Sequence, residues 1–244
     1  MHVLDAPEQF SVRAQGFLRR AAWREESQPG RMLTEFLSAQ DSMGELVAPS
    51  WELIVRREDF AARLEGLTYQ VRRSAIMRAI RYDVSRRWSF GVGDQLWADP
   101  RGGYCDWFGE HVSSPIRWLL HADGRIGGSD GGPFLPVHRS VDEMIESHAV
   151  MDSVAEWTPA PIGSTVIDLS RIPGLSEVPE ASGPWSRWLL SDCVAVREYR
   201  VLSSATPRSR GRWVWSLGDE GLRRVAEAAS DGPVDMRSGR PELW

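Results

Sequence analysis

Gly127-Gly128-Ser129-Asp130-Gly131 matches the G-x-S-x-G pattern of serine hydrolases, with Asp142 or Asp152 and His148 available downstream as acid and base. That chemistry needs a strand before the serine and a helix directly after it, so that the hydroxyl is exposed and helix amides can hold an oxyanion. Here Gly131-Gly132-Pro133 and an extended Phe134-Leu135-Pro136-Val137 follow instead. A glycine-rich surface loop is the expected outcome, and a hydrolase using Ser129 and His148 stays as an alternative.

Other chemistry is poorly represented. The chain contains no lysine, so it lacks the phosphate-binding G-x-x-x-x-G-K motif, and Gly91-Val92-Gly93 stands alone as a glycine pair that reads as a loop. His111, His121, His138 and His148, with Asp106, Glu110, Glu143 and Glu146, offer metal-ligand types without the i, i+4 spacing of a zinc helix. No metal or other cofactor is expected. Cys105 and Cys193 are far apart and read as free, buried thiols acting as small hydrophobes.

One constellation remains: Trp97, Asp99, Tyr104, Asp106, Trp107, Phe108 and Glu110, close in sequence and interrupted by turn residues. Aromatic side chains bury large area with few rotors to freeze, and carboxylates beside them attract a basic partner. Trp97, Asp99, Tyr104, Asp106, Trp107 and Glu110 are therefore the candidate interface residues; the competing expectation is that the rings simply close the core.

Composition narrows the partner. A net charge of -5 argues against general nucleic-acid binding, which needs a concentrated basic surface, and suits a basic protein. No apolar run of about 18 residues is present to span a membrane, and the first ten residues lack the basic start and apolar stretch of a signal peptide. A cytoplasmic location is the expectation. The oligomeric state is left open. The twelve tryptophans are spread along the chain, as core packing would spread them.

The elements that must position these residues begin with helices. Phe10, Ala14, Phe17, Leu18 and Ala21 recur at helical spacing, Leu33, Phe36 and Leu37 form a shorter stripe, and a third helix is expected over 57–64, stopped by Gly66. Strands are expected over 67–71 and 88–90, with turns from Asp99 to Gly103. A hairpin is expected over 116–127 around Asp123-Gly124, then an extended segment at 134–137. Ser140 and Glu143 form a capping box that starts an amphipathic helix, whose stripe of Val141, Met144, Ile145, His148 and Ala149 should lie on the sheet.

A Pro/Gly/Ser-rich region places a soft boundary near residue 160. Beyond it come strands over 188–190, 194–202 and 212–216, a helix through Leu222, Val225, Ala226 and Ala229, and a mobile tail. The expected fold class is α+β: N-terminal helices and a mostly antiparallel sheet with a helix packed on it over residues 1–160, and a smaller C-terminal α/β extension over 161–244, either separate or part of the same fold.

Asp123-Gly124-Arg125-Ile126-Gly127, Phe134-Leu135-Pro136-Val137 and Ser140-Val141-Asp142-Glu143-Met144-Ile145 together resemble the end of a SUKH-type immunity domain. That superfamily closes with hairpin strands, an extended segment and a serine-initiated amphipathic helix. The upstream segments 36–44 and 57–67 resemble its helical start, so the likeness spans about residues 30–155. It implies an α+β domain that neutralises a cognate toxin, such as a basic toxin domain, by binding it without catalysis. The leading expectation is thus a non-catalytic protein-binding module of immunity type. Besides the hydrolase, a structural subunit of a larger assembly, contacting its neighbours through the tryptophan-rich C-terminal region, is the other alternative.

Overall fold

The computed structural model describes residues 1–26, 32–77, 80–112, 116–130, 133–160, 166–200 and 210–230. Helix α1 (Val12–Ala21) is capped by Ser11, whose hydroxyl accepts from the Ala14 amide at 3.2 Å. Strand β1 (Ala22–Arg24) follows directly. The expected second helix is only a 3₁₀ turn (Thr34–Phe36), because Leu37 turns inward while Leu33 and Phe36 stay in solvent, so no single stripe forms. Two-residue strands β2 (Ala39–Gln40) and β3 (Leu46–Val47) form a small hairpin.

Helix α2 (Trp51–Leu64) starts six residues earlier than the apolar pattern indicated. Ser50 accepts from the Leu53 amide at 3.2 Å, satisfying one of the free donors of the first turn. Leu53, Arg57, Phe60, Ala61 and Leu64 then face inward.

A long antiparallel meander comes next: β4 (Leu67–Met77), β5 (Ile80–Trp97), β6 (Tyr104–Glu110), β7 (Arg117–His121), β8 (Ile126–Ser129) and β9 (Leu135–His138). The spatial order is β1-β4-β5-β6-β7-β8-β9, with β2 added parallel to β5 and β3 beyond it. The 116–127 hairpin forms around Gly124 at φ +92, a value that favours glycine. Gly91 and Gly93, expected in a loop, lie inside β5. There the Phe108 ring and the Asp106 carboxylate cross directly over them, leaving no room for a Cβ.

Helix α3 (Val141–Ser153) begins at Ser140 as the capping box requires, with the Glu143 amide donating to Ser140 Oγ at 3.2 Å. The reciprocal half is absent. The Glu143 carboxylate instead takes Arg139 Nε at 2.6 Å and lies 3.2 Å from His138 Nδ1. Nor does α3 dock by one stripe, since every residue from Glu143 to Asp152 is buried.

Helix α1 and the 3₁₀ turn Pro179–Ala181 pack against α3, and Trp188 reaches it from the rest of the chain: β10 (Thr158–Pro159), β11 (Val166–Ile167), β12 (Ser176–Glu177), β13 (Ser186–Leu190), β14 (Val194–Arg200), β15 (Arg210–Ser216), α4 (Gly218–Ala228) and β16 (Ala229–Ser230). Strands in the order β10-β15-β14-β13-β12 make a second antiparallel sheet, and β11 pairs with β16. The fold class is α+β.

One core cluster runs through both sides of residue 160, joining Trp88, Trp107 and Met144 to Trp188, Ala195 and Trp215. A smaller one lies between the second sheet and α4, around Val194, Val196 and Val214. In α4 the inward residues are Gly221 and Ala228, whereas Leu222 and Ala226, expected on the buried stripe, face solvent. The expected mobile tail lies outside the described residues.

Four buried polar groups on α3 are matched by distant elements. Ser147 Oγ accepts from Trp188 Nε1 at 2.8 Å, His148 Nδ1 and the Tyr69 hydroxyl share a hydrogen bond at 2.8 Å, and Glu146 accepts from the Ser11 amide and hydroxyl at 2.7 and 2.6 Å. Asp152 takes the Arg72 amide and Nε, each at 3.0 Å, and also Arg20. Burying polar groups is tolerable only when they are paired in this way.

Candidate functional site

Residues 32–59 fold over one end of β5. Their first and last parts are pinned to the same spot: the Met32 amide donates to Asp94 Oδ1 at 3.1 Å, and the fully buried Arg57 donates to Asp94 Oδ1 at 3.1 Å and the Gly93 carbonyl at 3.3 Å. In between, Gln40 pairs with Trp97, its carbonyl accepts from the Ala98 amide at 2.8 Å, and Ser50 Oγ donates to the Gly102 carbonyl at 3.0 Å. Ser50 thus caps α2 and ties it to the β5–β6 turn.

This corner exposes what a folded protein normally hides. Of the fifteen large apolar side chains that the described residues leave exposed, eight lie between Met32 and Val55, among them Phe36 at 67%, Leu46 at 73% and Trp51 at 73%. Trp51 and Val55 stand one helical turn apart on α2, off its buried face. Segment 32–59 also contains six carboxylates against two arginines, a net -4 in a chain whose total is -5. Scattered exposed apolar residues need no explanation, but a concentrated group rimmed by one sign of charge is the signature of an interaction surface.

The six candidate interface residues divide along β6. Trp97 and Tyr104, paired across β5 and β6 with rings 5.4 Å apart, are half-buried at the edge of this corner, and Asp99 is exposed in the turn between them. Phe134 extends the row at 6.1 Å from Tyr104, with Arg117 over Trp97 at 5.6 Å and Arg125 over Phe134 at 5.9 Å. Asp106 is half-buried against Gly93, and burial raises its pKa.

Trp107 and Glu110 belong to the interior and are corrected accordingly. Trp107 packs on Phe90 at 5.1 Å and Phe60 at 5.6 Å. The Glu110 side chain, 5% exposed, lies 3.2 Å from Arg73 and 3.8 Å from Arg86. The alternation of a strand, where a loop was expected, sends Cys105, Trp107 and Gly109 to the core.

The residues that carry the corner were missed. Their signals were present: Ser50 three residues before Leu53 as a helix cap, and the crowding of acids over 32–59. Reading α2 from Ser50 would have shown Trp51 and Val55 off its stripe.

The serine-hydrolase arrangement is not assembled. Ser129 ends β8, paired with Arg117, and the next described element is strand β9, not a helix. His148 is held by Tyr69 and packs on Trp88 at 4.4 Å; burial, then the charges of Arg73, His138 and Arg197, keep its pKa well below 6.5. Cys105 is buried, which pushes its thiol up to about 12. Among the described residues no group of three His, Cys, Asp or Glu side chains is placed to hold a metal ion, and no helix is long and apolar enough to cross a membrane.

Set against family models, curated proteins and solved structures, the chain matches none of them.

Proposed function

We propose that this protein is a non-catalytic binding module whose partner is a basic protein, and that the acidic, apolar corner formed by residues 32–59 with Trp97, Asp99 and Tyr104 is the surface that meets it. The observation that carries the reading is the coincidence of exposed rings and concentrated negative charge on a segment pinned at both ends. Phe36, Leu46 and Trp51 would be the anchors that lose water on binding, and Glu35, Glu45 and Glu52 would steer a basic surface toward them. A preformed corner of this kind needs little ordering on association.

The finer proposal is an immunity protein of SUKH type, acting in the cytoplasm by covering a cognate toxin. It rests on the strand-to-capped-helix segment ending in α3. Coexpression with the protein encoded by the adjacent gene tests it. Growth rescue together with a stable equimolar complex supports the proposal, with both lost in the double variant Phe36→Ala, Trp51→Ala. Rescue that survives in that variant, or no complex at any salt concentration, overturns it.

A further inference from the structure

The inner face of the second sheet carries a second, differently charged site. Trp188, Arg197 and Trp213 are paired side by side across β13, β14 and β15. The Arg197 guanidinium lies 5.7 Å from the Trp188 ring, 5.9 Å from Trp213 and 5.5 Å from Tyr199, and its Nε donates to Ser186 Oγ at 3.0 Å. Among the described residues no carboxylate reaches it as an ion-pair partner.

The first sheet adds to the imbalance instead of correcting it. Trp215 Nε1 donates to the Ser74 carbonyl at 3.0 Å, which joins β15 to β4 beside Arg73. Arg73 and Arg86 share the single carboxylate of Glu110. Among the described residues this cluster thus holds three guanidinium groups, Arg73, Arg86 and Arg197, and the one carboxylate of Glu110. Burial, reinforced by the Arg73 charge, pushes Arg197 down to about 10. Arg73 Nε is a buried donor with no acceptor among the described residues. Buried cations and unmatched donors are both unfavourable unless an anion or acceptor satisfies them.

An open cavity of about 500 Å³ adjoins this cluster, lined in part by Trp185, Ser186, Tyr199, Arg200 and Gly211, and by Glu198, whose carboxylate is taken up by Arg187 and Arg212. It shares Ser186 and Tyr199 with the surroundings of Arg197. Gly211 keeps the floor low, because the Tyr199 ring lies directly on it. Arg212 is held by Glu198 at 2.6 Å, whereas Arg200 lies 4.7 Å over the Trp185 ring with no carboxylate paired to it among the described residues. A flat ring, a stacked guanidinium and a second guanidinium behind them make a receptor for an oxyanion.

We propose that this cavity binds a phosphate group, either as the free ion or carried on a small molecule, with Arg200 at its mouth and Arg197 behind its floor. This site lies apart from the acidic corner and does not depend on that corner's role.

Inorganic phosphate and adenosine monophosphate, each titrated into the full chain against potassium chloride at equal ionic strength, provide the test. Tryptophan fluorescence and the thermal midpoint are the readouts. The expected result is a saturable fluorescence change and a raised midpoint with phosphate but not with chloride. Arg200→Gln should weaken binding about tenfold, the scale of one charge-assisted contact, and Arg197→Gln should remove saturation. Tighter binding of the nucleotide would assign the ligand a ring stacked at Trp185, and equal binding would assign the phosphate alone. Arg200 is exposed, so its variant remains informative if Arg197→Gln fails to fold. Indistinguishable behaviour in phosphate and chloride, or unchanged binding in Arg200→Gln, overturns the proposal.

Discussion

Helix α3 and the corner at residues 32–59 treat the same kinds of side chain in opposite ways. On α3, Glu146, Ser147, His148 and Asp152 are buried, and each meets a partner from a distant strand or helix. At the corner, Phe36, Leu46 and Trp51 are left in water among unburied carboxylates. The first region uses its polar groups to fix one tertiary arrangement. The second leaves apolar area uncovered, which only an encounter with another surface would remove from water. Stability should therefore reside in α3 and its surroundings, and affinity in the corner.

Trp188→Ala should break the comparison most forcefully on the stability side. Trp188 is fully buried and donates to Ser147, so its loss should lower unfolding free energy by about 3–5 kcal/mol, measured by urea denaturation. Partner affinity of the folded fraction should not change; a loss of affinity without a loss of stability would reverse the roles of the two regions. The double variant Phe36→Ala, Trp51→Ala should do the opposite. Affinity should fall by about 2 kcal/mol or more in calorimetric titration, while stability stays within about 0.5 kcal/mol of the parent.

Acid should act first on the interior. Folded His148 is held neutral with its pKa well below 6.5, and His138 is lowered too, chiefly by burial. The unfolded chain therefore binds these protons first. Their contribution to stability is complete above pH 6.5 and declines below it, by up to about 1.4 kcal/mol per pH unit for each group. Glu143 and Asp152, whose pKa values lie below their ordinary ones, add a loss only at still lower pH. Urea midpoints measured from pH 7.5 to 5 should show the decline, and His148→Gln should flatten it. An equal slope in that variant would remove His148 from the account.

The smallest effect belongs to steering. Reversing Glu45 and Glu52 to arginine should slow association several-fold at low salt, and the difference should fade at high salt, in stopped-flow measurements. A change confined to the dissociation rate would mean that these carboxylates make direct contacts.

Legibility differed just as sharply between elements. The hairpin over 117–129 and the start of α3 could be read because Asp123-Gly124 and Ser140 act on their immediate neighbours. Strand β6 could not, since Asp106 and Glu110 look like loop residues until Arg73, thirty-seven positions earlier, is brought beside Glu110. Trp97, Asp99 and Tyr104 were singled out from their types; Trp107 was misplaced because alternation along an unrecognised strand turns it inward, and Glu110, on the opposite face, because Arg73 and Arg86 enclose it.

What the sequence by itself determined is local: caps, turns, the α+β pattern, and the charge that identifies residues 32–59 as the acidic segment. The phasing of apolar residues and the Ser and Gly signals encode these directly. Only tertiary structure decided that α3 is enclosed on all sides, that the next described element after Ser129 is another strand, and that the 32–59 segment is fastened over Trp97. Each depends on contacts between residues tens of positions apart, whose pairing follows from how the sheets close around the core and leaves no short-range mark in the chain.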